Sequence, residues 1–166
     1  MEIRIAGIVN DSIVDGPGLR LAVFTQGCPH HCPMCHNPET HDYQGGTVQD
    51  TDDIIRLIHE NPLLDGITLS GGEPFTQPQA CAQIAREAHA AGLNVWCYSG
   101  FTVEKLMEYD EPGWKELLAS IDVLVDGPFV YEQRTLNKRF RGSSNQRILN
   151  IPETLIHKAA VLSEYN

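Results

Sequence analysis

Three cysteines, Cys28, Cys32 and Cys35, stand in C-x3-C-x2-C order within "TQGCPHHCPMCHNPET". Thiolates gathered this closely suit a soft metal ion or an iron-sulfur cluster. Pro29 and Pro33 interrupt any helix through them, so the expectation is a loop wrapped round a bound group. A structural zinc site takes four ligands, and His36 is available as the fourth. Yet His36 adjoins Cys35, and adjacent residues seldom both reach one tetrahedral ion. The remaining cysteines, Cys81 in a predicted helix and Cys97 in a predicted strand, read as small buried hydrophobes. A count of five, three of them in one loop, fits a reducing compartment and a metal better than a disulfide framework. If the three thiolates hold a four-iron cluster, one iron has no protein ligand, and a small molecule can bind there and receive an electron.

A second motif, "LSGGEP", closes the next predicted strand. Gly71 and Gly72 permit close approach of a ligand to the backbone, and Glu73 can accept from an ammonium group. Taken alone, the same residues describe an ordinary strand-to-helix turn. Asp126, in "VLVDGPF", ends a strand on the same side and suits either a cofactor or cation site or a turn cap. There is no Ser-His-Asp arrangement, phosphate-binding glycine loop or carboxylate pair; Asp52 and Asp53 read as the first turn of a helix. His30 and His31 are expected to face solvent.

Positioning these motifs requires strands that end at them. "LRLAVFTQG", "DGITLSGG", "LNVWCYSG", "IDVLVDGPF" and "QRILNIP" read as strands, several ending at glycine. Between them, "VQDTDDIIRLIHENP" and "QPQACAQIAREAHAAGL" have helical periodicity, as do "TVEKLMEY", "GWKELLAS" and "PETLIHKAAVLSEY". This alternation predicts an α/β fold with parallel strands and functional loops at their carboxyl ends. About five or six such strands are too few for a closed barrel of about 250 residues, so a partial, open βα barrel is expected, with residues 1–166 as one domain.

Composition narrows the function. At 42% hydrophobic the chain can build a core, and it has no apolar run near the roughly 20 residues of a spanning helix. The N-terminus lacks a signal-peptide layout, so a cytoplasmic, membrane-independent protein is expected. A formal charge of −10 argues against a general nucleic-acid binder. Arg134, Lys138, Arg139, Arg141 and Arg147 nevertheless share one stretch without Asp or Glu, which is either a docking or anion-binding surface or a solvated loop.

The cysteine spacing together with "SGGEP" resembles the radical S-adenosylmethionine enzymes. With "VDGPGLR" it is similar to their glycyl-radical-enzyme activases, over residues 14–149. "DVLVDGPF" and "FRGSSNQRIL" resemble the activases of anaerobic ribonucleoside-triphosphate reductase more than those of pyruvate formate-lyase. The resemblance implies a radical S-adenosylmethionine barrel with a [4Fe-4S] cluster on Cys28, Cys32 and Cys35, and S-adenosyl-L-methionine chelating the fourth iron. It implies cofactor contacts from Met34, Cys35, His36, Gly71, Gly72, Glu73 and Asp126. Met34 stands where much of the superfamily has an aromatic residue, so the adenine contact falls to His36 or to backbone groups of Met34 and Cys35. The implied reaction is one-electron cleavage to methionine and a 5′-deoxyadenosyl radical, which takes a hydrogen atom from a glycine Cα of the reductase large subunit. No side chain need act as acid, base or nucleophile, and a flavodoxin-type protein is the implied reductant. A non-catalytic zinc module or simple electron carrier is the contrasting reading, and it leaves "SGGEP" and "VDGPG" unexplained.

Overall fold

The computed structural model describes residues 1–166. Its strands are β1 (Glu2–Ser12), β2 (Arg20–Thr25), β3 (Thr47–Asp50), β4 (Gly66–Gly71), β5 (Asn94–Tyr98), β6 (Val123–Asp126) and β7 (Arg147–Asn150). The helices are α1 (Thr51–Glu60), α2 (Pro78–Ala90), α3 (Val103–Glu108), α4 (Trp114–Ala119) and α5 (Ile151–His157). One open seven-stranded sheet runs in the order β3-β1-β2-β4-β5-β6-β7.

Period-two alternation gives the sheet two faces. Leu21, Val23, Ile67, Leu69, Val95, Cys97, Leu124 and Leu149 point to one face and join a core of 26 buried residues shared with α1, α2 and α4. On α2 the buried stripe is mostly small, with Ala82, Ala85 and Ala88 letting the helix lie close to the strands. Intervening residues turn the other way. Trp96, Val125 and Ile148 form a second cluster, on which Phe140 and Tyr165 lie with ring centroids 5.3 and 5.4 Å from Trp96.

Local chemistry sets the helix ends. The carboxylate of Asp50 accepts from Asp52 N at 2.9 Å and starts α1, and the side chain of Asn150 accepts from Glu153 N at 3.1 Å and starts α5. The last helix was expected to continue through 165. It stops at His157 because Lys158 adopts φ 56°, after which the chain returns to pair beside β7 through Asn150 N to Val161 O and Ser163 N to Ile148 O.

The strand count also departs from expectation. Only β2, β4, β5 and β6 are parallel; β1, β3 and β7 pair antiparallel. The link from β6 to β7 carries one 3-10 turn and no crossover helix, so the chain can only fold back on its neighbour. The sheet therefore has four parallel strands rather than five or six, and it is not closed.

Candidate functional site

The four parallel strands end together, and a cavity of about 700 Å³ lies there and spreads over the Trp96 face of the sheet. Cys28, Cys32 and Cys35 line it from the loop after β2, Gly71 and Gly72 from the end of β4, and Ser99 and Gly100 from the end of β5. The loop 127–146 closes the far side with His36's neighbour Phe129 and with Arg141.

Backbone hydrogen bonds shape the cysteine loop. Gly27 N donates to Thr40 O at 2.7 Å and Cys28 N to His41 O at 3.3 Å, so the loop is cinched at its base. The Gln26 amide donates to Glu39 O and Asp42 O from inside. All three cysteines are free thiols, Cys28 buried and the others half-buried. Burial pushes the Cys28 thiol up to about 11, partly offset by a hydrogen bond from the His30 backbone. Cys28, Cys32 and Cys35 all line the one cavity, so a group bound there can meet all three thiols. That donor set favours a cluster over one zinc ion with His36.

The glycine pair meets a need other than the one its sequence suggests. A Cβ on Gly71, at φ 97°, would stand 2.5 Å from Thr25 N, and one on Gly72 would stand 2.4 Å from Gly27 O. The close approach is therefore to β2 and the cysteine loop. Gly72 N donates to Thr25 O and Glu73 N to Gly27 O, at 2.8 and 2.9 Å, so the motif brackets the root of that loop while still facing the cavity. Glu73 is fully buried and not on the cavity wall. Its carboxylate accepts from Ser99 Oγ at 3.0 Å, Gly100 N at 2.8 Å, Phe75 N at 3.1 Å and the His30 ring. These partners all lie within the protein, so the carboxylate is held in place from several sides. His30, expected in solvent, is instead tucked against Glu73 and Phe101.

The four other expected contacts divide. Met34 is 66% exposed at φ 60° and contributes nothing to the cavity wall, and the Cys35 amide is taken by Cys32 O. His36 does line the cavity, with its ring 4.7 Å from that of Phe129; Gly142 leaves room for both. Asp126 is buried behind the wall, accepting from Val103 N at 2.8 Å and from the Arg147 guanidinium at 2.6 and 3.0 Å. Both of its oxygens are thus bonded at the sheet end, and it is not among the residues of the cavity wall. Arg147 also bonds Glu104, and together the two carboxylates hold its pKa above the ordinary arginine value. That leaves Arg134, Lys138 and Arg139 as the exposed part of the basic stretch.

Arg141, expected with the rest of the basic stretch on a docking or anion-binding surface or in a solvated loop, lines the cavity. Its Nη1 donates to Gln146 O and Asn166 Oδ1, while its buried Nε has no partner. Ser99 and Tyr98, also on the wall, could have been found by asking which residues follow each strand's carboxyl end.

A family model described as "4Fe-4S single cluster domain" matches residues 14–149. The anaerobic ribonucleoside-triphosphate reductase-activating protein of Escherichia coli (strain K12) is 34% identical over 143 residues, 81% of this chain and 90% of that protein. The protein of the same name from Enterobacteria phage T4 is 30% identical, covering 81% and 86%. The pyruvate formate-lyase-activating enzyme of Clostridium pasteurianum is 32% identical over 127 residues, but only 50% of its length is covered. Among solved structures, QueE from Escherichia coli overlaps 61% of the chain at a TM-score of 0.49 and 14% identity.

Proposed function

The chain belongs to the family of anaerobic ribonucleoside-triphosphate reductase-activating proteins, and from that premise we propose that it is the radical S-adenosylmethionine enzyme that installs the glycyl radical of that reductase. The observation that carries the proposal is the convergence of three free thiols, two glycines and an arginine with an unpartnered Nε on one cavity. Near-complete coverage of the reductase activators, against half of the formate-lyase activator, favours the reductase large subunit as partner.

In this reading Cys28, Cys32 and Cys35 hold a [4Fe-4S] cluster and leave one iron for S-adenosylmethionine. The fit rests on the donor set, on the cavity beside it, and on the spare hydrogen-bonding capacity of Arg141 for a carboxylate. When bound, the two cofactors supply a one-electron cleavage and the carbon radical that takes the glycine Cα hydrogen. The protein's own share is to orient and to exclude water. Gly71 and Gly72 offer bare backbone on one side, and His36 with Phe129 offers flat rings for an adenine on the other. Cys28 stays a thiol near neutral pH until a metal displaces its proton, because burial resists the bare thiolate.

Residues 1–166 act as one domain, the open sheet serving as the partial barrel, in the cytoplasm and with a flavodoxin-type electron donor. No helix is long and apolar enough to cross a membrane. The test is anaerobic reconstitution followed by iron, sulfide and methionine analysis. A brown protein with about four irons per chain that releases methionine from S-adenosylmethionine on reduction is expected, with Cys28→Ser, Cys32→Ser and Cys35→Ser each abolishing it. A colourless protein carrying one zinc would overturn the proposal.

A further inference from the structure

His30 lies between the first two cysteines on the cavity wall, and its ring is seated in a socket. Three elements build that socket. The buried carboxylate of Glu73 faces its Nε2 at 2.5 Å, and the Phe101 ring meets it edge-on with centroids 4.4 Å apart. Gly100 supplies the floor: a Cβ there would stand 2.5 Å from His30 Cδ2, so only glycine admits the ring.

The direction of control follows from what holds each part. Glu73 is fixed without His30, by Ser99 Oγ and Gly100 N just past β5 and by Phe75 N in the 3-10 turn Pro74–Thr76 that follows β4. Residues 29–34, by contrast, make no other hydrogen bond to the strand ends. Their positive φ at His31 and Met34 shows a tightly turned path with little backbone pairing of its own. The carboxylate is thus an anchor on the sheet, and His30 is the tether of the cysteine loop.

We propose that His30, seated on Glu73 and Gly100, is a positioning residue that fixes the spacing of Cys28 and Cys32 before any group binds. This rests on the reading of those cysteines as cluster ligands, although the tether itself does not. A preset loop spares the ordering cost that a floppy one would incur on binding.

The test compares wild type, His30→Ala, His30→Gln and Gly100→Ala. Glutamine keeps an N–H donor at similar reach, and alanine at 100 displaces the ring without altering it. In the metal-free protein, amide hydrogen exchange at Cys28 and Cys35 should speed up about tenfold in His30→Ala and Gly100→Ala, and stay near wild type in His30→Gln. After reconstitution, the same two variants should lose iron to a chelator about tenfold faster and show a broadened electron paramagnetic resonance spectrum of the reduced cluster. Wild-type exchange in His30→Ala, or a glutamine variant as impaired as the alanine one, would overturn the tether. If His30→Ala does not fold, Gly100→Ala against His30→Gln decides in the same terms. Failure of the wild type to take up iron would sink the cluster reading and leave the exchange comparison standing.

Discussion

Asp126 and Arg147 illustrate how a buried carboxylate can resemble a site residue in sequence and be a fastening in the fold. Asp126 is 1% exposed and all its acceptor directions in use are internal. Replacing Arg147 with Met would leave that charge buried against a single amide, so Arg147→Met should cost about 2 to 3 kcal/mol by urea titration. A loss below about 0.5 kcal/mol would return Asp126 to the list of ligand contacts. Arg20 makes the opposite case, a buried cation with no carboxylate beside it. Thr68 Oγ1, Pro17 O, Ile67 O and Asn94 Oδ1 accept its protons at 2.6–2.9 Å, and the Trp96 face lies 5.7 Å away. Burial lowers its pKa to about 10, which still leaves it charged at neutral pH. Gly16 and Gly66 make the room, since Cβ atoms there would stand 2.9 and 2.5 Å from the guanidinium side chain. Packing thus accounts for Gly16 and Arg20 of "VDGPGLR", while Val14 and Asp15 of the same motif line the cavity. At this scale the sequence disclosed which residue types mattered, above all the three cysteines. It did not disclose that Glu73 would be held by its own neighbours, because Ser99, Gly100 and His30 meet it only through the fold.

Helices were the more legible elements. The helices α1 to α4 follow from periodicity and start signals that are local in the chain, and Asp50, Thr102 and Asn150 act as the caps their residue types suggest. Asn150→Ala should therefore destabilise the protein by about 1 kcal/mol, visible as a lower urea midpoint; no change would mean that packing of Ile151 alone holds α5. Strand direction was less legible. Alternation gives the face of a residue but not the sense of its strand, and β7 reads like a further parallel strand until the helix-free link 127–146 is weighed. The β1 strand is interrupted by Gly7 and ends in polar residues, and β3 is four residues at an exposed edge, so neither has the apolar run that marks the central strands.

Across the whole molecule, the core is sealed with neutral thiols. Burial pushes Cys81 from the ordinary 9.0 to about 12, and it raises Cys97 in the same direction. A proton held more tightly when folded stabilises fully below the unfolded pKa and is lost as pH rises through the folded one. The urea midpoint of the metal-free protein should hold to about pH 9 and fall between pH 9 and about 12, with a shallower fall in Cys81→Ala. A flat profile across that window would contradict the burial of these thiols. Surface charge raises a separate expectation. Lys138 and Arg139 are exposed on an otherwise acidic protein, within the loop that closes the cavity. Reversing both to Glu should weaken activation of a partner and leave S-adenosylmethionine cleavage unchanged, as measured in parallel assays. Equal activation by the variant would show that stretch to be solvated loop.

The central claim is activation of a specific enzyme, and one measurement bears on it most directly. The reconstituted protein is mixed anaerobically with the anaerobic ribonucleoside-triphosphate reductase large subunit, S-adenosylmethionine and a low-potential reductant, and the sample is followed by electron paramagnetic resonance. The expected result is a glycyl radical on the reductase that accumulates with methionine release and is absent with Cys32→Ser. Methionine release with no radical on the reductase, alongside radical formation on a different glycyl-radical enzyme, would contradict the account.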